Sequence, residues 1–249
     1  MTRPPAGATT REDFAAVVAR LAAAQKTRAP GAPAYSIYVN RPLGRLLAAA
    51  AYLAGLTPNA VTAISAVFTF SAIVIIAITP PMPLTGVAIG ILLILGYALD
   101  SADGQLARLR GGGSPAGEWL DHVVDAAKIS SLHLAVLVSW HRFVELPTEL
   151  LLLVPIGFAI VAAVLFFAMI LNDFLRIRNH SAQRGRRAGG GIRSLLVLPT
   201  DYGVLCIAFL LFGAPTVFVP LYGLLFVANV AYALVALPKW FVEIRRIPR

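Results

Sequence analysis

Long apolar runs, separated by short polar or glycine- and proline-rich stretches, dominate this chain. Several runs are uncharged over the roughly 20 residues that a helix needs to cross the hydrocarbon core of a bilayer. A membrane barrel would show alternating apolar positions, so the pattern favours helices. We predict an all-α integral membrane protein with six transmembrane helices, over residues 58–79, 84–108, 117–140, 149–174, 195–213 and 217–240.

The N-terminal region, residues 1–56, is amphipathic rather than uniformly apolar. After Thr10-x-x-Asp13, a variant of the helix-capping box, apolar residues recur at helical spacing, at Phe14, Val17, Val18 and Leu21. The stretch from Tyr35 to Leu56 carries arginines beside alanines and leucines, which favours an interfacial helix, with a short span as the alternative. No apolar region of a signal peptide is visible here, so we expect an uncleaved cytosolic or interfacial extension.

Chain breakers mark the remaining boundaries. Thr57-Pro58-Asn59 provides a helix start, with proline in the first turn. We therefore predict one transmembrane domain over residues 57–244 and a basic tail over residues 245–249. Within it, Gly86-x-x-x-Gly90 indicates a place where a neighbouring backbone packs closely.

The charge distribution supports a membrane protein with cytosolic termini. The 249 residues are 58% hydrophobic and 13% charged, with a net charge of +9. The arginines gather in loops on one side of the predicted bundle, so the positive-inside rule places both termini on that side. Membrane topology therefore explains the positive net charge, and nucleic-acid binding is not needed to explain it. We expect a multi-pass protein of the plasma membrane. The single cysteine, Cys206, excludes an internal disulfide.

Four aspartates interrupt the second and third predicted spans. Asp100 and Asp103 lie three residues apart, and Asp121 and Asp125 lie four apart, so each pair projects from one helical face. Consecutive spans joined by a short loop should be antiparallel neighbours, which would bring the two pairs together as a box of four carboxylates. Ionisable groups at membrane depth are costly and are functional by default.

The ligand chemistry of this box favours a hard cation. Carboxylate oxygens select Mg²⁺, Mn²⁺ or Ca²⁺, and Mg²⁺ is usually held together with substrate phosphates. Gly104 leaves room for a ligand beside Asp103, and Ala107 and Gly117 keep the region open. Arg108 and Ser114 can reach a phosphate at the membrane boundary. Lys128, one turn after Asp125, either binds an acceptor phosphate or balances the aspartates.

The ordered set Asp100-x-x-Asp103-Gly104-x-x-Ala107-Arg108, then Gly117-x-x-x-Asp121-x-x-x-Asp125, resembles the signature of the CDP-alcohol phosphotransferases. The resemblance implies an enzyme that transfers a substituted phosphate group. A hydroxyl of a polar alcohol acceptor attacks a CDP-linked lipid donor, CMP leaves, and a phospholipid forms. It also implies a homodimer in contact with membrane lipids and one or two Mg²⁺ ions, with Mn²⁺ as a substitute.

The resemblance further implies residue roles. Asp100, Asp103, Asp121 and Asp125 would hold the metal, and Asp125 would also take the proton of the attacking hydroxyl. The CDP pocket would be shaped by Asn59, Thr62, Gly104, Ala107, Arg108, Ser114 and Gly117. The stretch from Tyr35 to Thr62 is most similar to family members that use inositol phosphate or related polar acceptors.

Two other classes compete with this interpretation. An intramembrane prenyltransferase of the UbiA type also uses aspartate-bound Mg²⁺, but its acidic motifs are widely separated in sequence, whereas these lie on consecutive predicted helices. A cation transporter would favour charges on broken helices near the membrane midplane, and no such pattern is apparent.

Overall fold

The computed structural model describes residues 12–24, 34–179 and 198–247, and these residues are helical with no strand among them. In chain order the α-helices are α1 (Phe14–Ala23), α2 (Arg41–Leu53), α3 (Pro58–Ile78), α4 (Pro83–Leu109), α5 (Pro115–Phe143), α6 (Leu153–Arg178), α7 (Tyr202–Ala208) and α8 (Pro215–Arg245). A π-helical turn precedes α2 at Ser36–Asn40, and 3₁₀ turns cover Glu149–Leu152, Leu198–Thr200 and Phe209–Leu211. The predicted all-α membrane fold is confirmed.

Five helical segments of the described chain are long and apolar enough to cross a bilayer. They are Pro58–Ile78, Pro83–Leu109, Pro115–Phe143, Glu149–Arg178 and Pro215–Arg245. These correspond to five of the six predicted spans. Pro58–Ile78 and Pro83–Leu109 agree with the prediction to within one residue, whereas the other three continue two to five residues beyond the predicted bounds at one or both ends.

The remaining predicted span, residues 195–213, is shorter in the structure. Its first three residues lie outside the described part of the chain, and the rest forms the apolar helix Tyr202–Leu211. This segment runs antiparallel to α4: Tyr202 packs on Tyr97, and a methyl group placed on Gly90 would meet Leu210. At its end, Gly213 lies against Met82 and Pro83, where α4 begins.

The direction of this segment closes the topology. The ends of α6 and α8 lie at the same face of the bundle, because Arg176 of α6 donates to Glu243 of α8 at 2.7 Å. Because α6 and α8 end at the same face of the bundle, the chain between them must cross the bundle in the opposite direction. The segment from Tyr202 to Gly213 runs in that returning direction, so it serves as the sixth crossing although its helix is short.

Capping residues set the starts of α3 and α5. Thr57 caps α3 by accepting a hydrogen bond from the backbone of Ala60 at 3.2 Å. Ser114 caps α5 by accepting from the backbone of Gly117 at 3.1 Å. Both helices continue with proline in the first turn, where a missing N–H costs nothing. The predicted helix start at Thr57-Pro58-Asn59 is confirmed.

Helix α3 is the common neighbour at the centre of the fold, because it packs against both α4 and α5. Close approach to α4 depends on Gly96, whose carbonyl accepts a hydrogen bond from Ser65 at 2.8 Å and whose Cα faces Thr69. Small residues at a membrane-helix interface allow this approach, and polar groups then stabilise it.

Two apolar clusters hold the bundle together. The larger joins α3 to α8 and contains Trp140, Tyr222 and Phe158, with His133 donating to or accepting from the Tyr222 hydroxyl at 2.6 Å. The smaller lies where α1 meets α2, α3 and α4, and buries Val17 and Leu21 completely or nearly so. The predicted amphipathic helix thus exists, and its apolar face covers the end of α4.

Gly86 offers a direct test of the predicted close packing. A methyl group on Gly86 would lie 2.7 Å from the backbone nitrogen of Gly213, which cannot move as a flexible side chain could. We expect Gly86→Ala to lower the free energy of unfolding by about 1–3 kcal/mol through overpacking. Thermal unfolding in detergent measures the effect.

The matched control is Gly223→Ala in α8, because a methyl group there meets nothing within 4 Å. It should leave the unfolding temperature unchanged or raise it slightly, since alanine favours a helix more than glycine does. Equal behaviour of the two variants would contradict the close packing of α4 against Gly213.

Candidate active site

Side chains from α4 and α5 meet around the ammonium group of Lys128. Lys128 Nζ lies 2.6 Å from Asp100 Oδ1 on α4 and 2.5 Å from Asp125 Oδ1 on α5. Both carboxylates are largely buried, with 19% and 20% of their side chains exposed. The first and last aspartates of the sequence motif therefore lie close enough to contact one cation together.

Asp103 is anchored from α3. It is buried, and its Oδ2 accepts a hydrogen bond of 2.6 Å from the Thr62 hydroxyl. The same hydroxyl lies 3.1 Å from the carbonyl of Pro58, one turn earlier. A buried carboxylate needs such donors, since an unpaired charge away from water is strongly unfavourable. Thr62 thus fixes the position of one of the four carboxylates.

Asp121 and Asp125 form a second grouping with His122. One ligand atom from each lies within 4.8 Å of the other two, and the three residues are half-buried. His122 Nδ1 is buried without a hydrogen-bond partner and lies 3.8 Å from Asp121 Oδ2. Carboxylate oxygens are the ligands that hard divalent cations prefer, whereas an imidazole nitrogen suits softer metals. The carboxylates of Asp121 and Asp125 are therefore the donors suited to Mg²⁺ or Mn²⁺.

The expectation that α4 and α5 pack as direct neighbours is wrong. The backbones of these two helices, both described throughout, make at most marginal contact, whereas α3 packs against each of them. The carboxylate pairs face one another across a gap that side chains fill. Lys128 bridges this gap, because its long stem reaches from α5 to Asp100 on α4.

The predicted pocket residues form two groups at the loop end of the helices. In the first, the start of α3 meets the start of α5: a methyl group on Gly117 would lie 2.9 Å from Asn59 Oδ1 and 3.2 Å from Ser114 Oγ. A larger residue at this position would require the Asn59 side chain to shift. The structure thus brings Asn59, Ser114 and Gly117 together.

The second group lies on the last two turns of α4. The guanidinium of Arg108 lies over Gly104, 3.4 Å from where a methyl group would be. The carbonyl of Ala107 accepts from Gly112 at 2.9 Å, which ends the helix, and Gly112 has a φ of 130° that favours glycine. Arg108 is exposed, which leaves its donors available to a phosphate group.

An open cavity of about 680 Å³ lies between α1 and the loop that follows α4, lined by Glu12, Tyr52, Leu53 and Arg110. Two guanidinium groups cover the Tyr52 ring: Arg20 at 5.7 Å and Arg110 at 5.9 Å from its centre. Arg20 also forms an ion pair with Glu12. The N-terminal helix thereby contacts the loop beside the pocket residues.

Some neighbours of the site have no motif that could reveal them. Tyr202 of α7 has a buried hydroxyl without a hydrogen-bond partner, and its ring packs edge-on against Tyr97, one turn before Asp100. Gln105 donates to the carbonyl of Arg41 at 3.1 Å, which joins α4 to α2. The one available signal is that Tyr97 precedes Asp100 by one turn, which places both residues on the same face of α4.

Asp201 caps α7. It accepts from the backbone of Gly203 at 2.9 Å and also from the backbone of Ser36 at 3.0 Å. Near the end of α6, Arg176 pairs with Glu243 of α8. Four arginines between α6 and α7 lie outside the described residues: Arg184, Arg186, Arg187 and Arg193.

Among the solved structures to which this chain is similar are two of phosphatidylinositol phosphate synthase (PgsA1) from Mycobacterium tuberculosis. The structure with CDP-DAG bound is 22% identical, with a TM-score of 0.47, and the match covers 82% of this chain and 94% of that one. The structure in complex with manganese and citrate is 21% identical, with a TM-score of 0.47, and the match covers 82% and 89%. Comparison with curated proteins finds no match.

The sequence also matches a family model, described as CDP-alcohol phosphatidyltransferase, over residues 55–238. This range contains α3 to α7 and most of α8, and thus all four aspartates and the pocket residues around them. Since the match spans most of the chain, the protein belongs to the CDP-alcohol phosphatidyltransferase family.

Proposed function

We propose that this membrane enzyme transfers a phosphatidyl group from CDP-diacylglycerol to the hydroxyl of a polar alcohol, with release of CMP, in phospholipid biosynthesis. Family membership supports the general reaction. One observation carries the proposal for this chain. Asp100 of α4 and Asp125 of α5 contact the same ammonium group, so their carboxylates lie close enough to bind one cation together. Neither a prenyltransferase nor a transporter accounts for the family match.

The four aspartates would hold one or two divalent cations, Mg²⁺ or Mn²⁺, with Asp100, Asp103, Asp121 and Asp125 as ligands. The carboxylate donors support this assignment. When bound, such ions neutralise the pyrophosphate and the charge that develops on the departing CMP. Thr62 keeps Asp103 in place for this purpose through its 2.6 Å hydrogen bond.

Asp125 is our candidate for the general base. Its carboxylate would accept the proton of the acceptor hydroxyl while the hydroxyl oxygen bonds to the phosphatidyl phosphorus and the bond from that phosphorus to CMP breaks. The leaving CMP carries the electron pair of the broken bond, so charge and atoms balance. The position of Asp125 beside Asp100, where α4 and α5 meet, supports this role.

The cytidine diphosphate would lie along Asn59, Thr62, Gly104, Ala107, Arg108, Ser114 and Gly117. Arg108 supports this placement because its guanidinium lies over Gly104 with donors exposed. Gly104 leaves the adjacent backbone accessible, and the cluster of Asn59, Ser114 and Gly117 forms the facing wall. Orientation by several fixed donors lowers the barrier for an in-line transfer.

For the acceptor we propose a polar alcohol of the inositol phosphate type. Its support is the sequence between Tyr35 and Thr62, which resembles members that use such acceptors. Loop arginines support a site that faces the cytosol at the plasma membrane. Homodimer formation follows from the family resemblance alone and stays a prediction.

A substrate panel tests the reaction. Purified enzyme with CDP-diacylglycerol and Mg²⁺ should release CMP with inositol phosphate, and less or none with glycerol phosphate, serine or free inositol. Chelation of the metal should stop the release. Fastest release with a different acceptor would overturn the acceptor assignment, and no release with any acceptor would overturn the proposed donor.

The proposed base is tested by Asp125→Asn, which preserves shape and removes the proton acceptor. We expect CMP release to fall by a factor of about 10²–10⁴, the usual contribution of a general base. The fold should persist, as judged by the unfolding temperature. Glu145→Gln at the opposite end of α5 is the control, because Glu145 is exposed and far along the helix. Unchanged turnover in Asp125→Asn would remove Asp125 from this role.

The donor pocket is tested by Arg108→Ala. We expect the KM for the CDP donor to rise about tenfold, because a charge-assisted contact to phosphate contributes about 1.5–3 kcal/mol. The KM for the acceptor should change much less. Arg108→Lys keeps the charge and should recover part of the loss. A larger effect on the acceptor than on the donor would reverse the pocket assignment.

A further inference from the structure

Lys128 is a buried ammonium group within a membrane helix. The residue is 5% exposed, whereas Lys239, the other lysine of the described chain, is exposed at the end of α8. Burying an unpaired ammonium is strongly unfavourable, so its partners must compensate for lost hydration. Those partners are Asp100 and Asp125, at 2.6 and 2.5 Å.

These partners are the residues that the family signature assigns to the metal. Lys128 therefore uses carboxylate oxygens that a divalent cation would also use. Two cations cannot both contact the same oxygens at bonding distance without strong mutual repulsion, which low solvation increases. Occupancy of Asp100 and Asp125 by the ammonium and by a metal ion is thus linked.

The side chain of lysine suits such an exchange. Its ammonium is a compact point charge on a flexible four-carbon stem, so it can leave one anion for another without movement of the helix. Without it, the carboxylates of Asp100, Asp121 and Asp125 would repel one another across the gap between α4 and α5. The ammonium therefore stabilises the arrangement of the carboxylates. At the same time it weakens the attraction of these carboxylates for other cations.

We propose that Lys128 is a positioning residue that competes with the divalent cation for Asp100 and Asp125, and so sets the metal affinity of the site. This inference rests on the proposed function, since it requires metal at the four aspartates. It separates Lys128 from a residue that merely binds substrate, because the effect should appear in metal binding without any substrate present.

The test is Mn²⁺ binding to the purified protein, followed by the electron paramagnetic resonance signal of free Mn²⁺. Lys128→Met should bind Mn²⁺ about tenfold more tightly than the wild type, because a repelling charge is removed. In chelator its unfolding temperature should be lower than that of the wild type. Saturating Mn²⁺ should restore most of this difference, because a ligand stabilises the folded state that binds it.

Three variants serve as comparisons. Lys128→Arg keeps the positive charge and should bind Mn²⁺ nearly as the wild type does. Lys239→Met removes an exposed charge near Glu243 and should change neither property. Lys128→Gln provides a second neutral variant and should also bind Mn²⁺ more tightly than the wild type. If neither neutral variant folds even with Mn²⁺, the proposed competition between Lys128 and the metal is overturned, since the metal should replace the missing charge.

The result also separates this inference from the proposed function. If Asp121→Asn leaves the Mn²⁺ affinity of the wild type unchanged, the aspartates are not the metal site and both proposals fail. If Asp121→Asn weakens Mn²⁺ binding while Lys128→Met leaves the affinity unchanged or reduces it, only the role of Lys128 is rejected.

Discussion

The unfavourable burial of carboxylates near the end of a membrane bundle is the constraint on which this structure depends. Asp100, Asp103 and Asp125 lie where water is scarce, so each requires a compensating group. Thr62 of α3 donates to Asp103, and Lys128 of α5 contacts the other two. Helix α3, which packs against both α4 and α5, thus provides one of the compensating groups.

Much of the fold could be predicted from the sequence, because its causes are local. Hydropathy over about 20 residues reports membrane insertion directly, and Thr57 and Ser114 cap helices through contacts only three residues away. The segment from Tyr202 to Leu211 was harder to predict. Its apolar character indicates burial, but its length as a helix depends on how Gly213 packs against Met82 and Pro83, a contact between distant parts of the chain.

The candidate site, like the fold, has local features that the sequence predicts and long-range contacts that it does not. Spacing alone identifies the four aspartates and places each pair on one face of a helix. Spacing cannot reveal that α4 and α5 are held apart, because this depends on the packing of α3 between them. The one-turn spacing of Lys128 from Asp125 indicates that it could balance the aspartates, but neither its reach to Asp100 on α4 nor the unpaired hydroxyl of Tyr202 had a signal in the sequence. Which alcohol is accepted depends on such distant contacts.

The double use of Asp201 bears on the order of assembly in the membrane. One carboxylate caps α7 and also accepts from Ser36, 165 residues earlier in the chain. During synthesis, α2 to α6 emerge before Asp201 exists, and closing so long a loop is entropically costly. The hydrogen bond from the segment that precedes α2 can therefore form only after Asp201 has been made. The ring of Tyr97 contacts both of the elements that this bond joins, through Tyr35 before α2 and Tyr202 of α7.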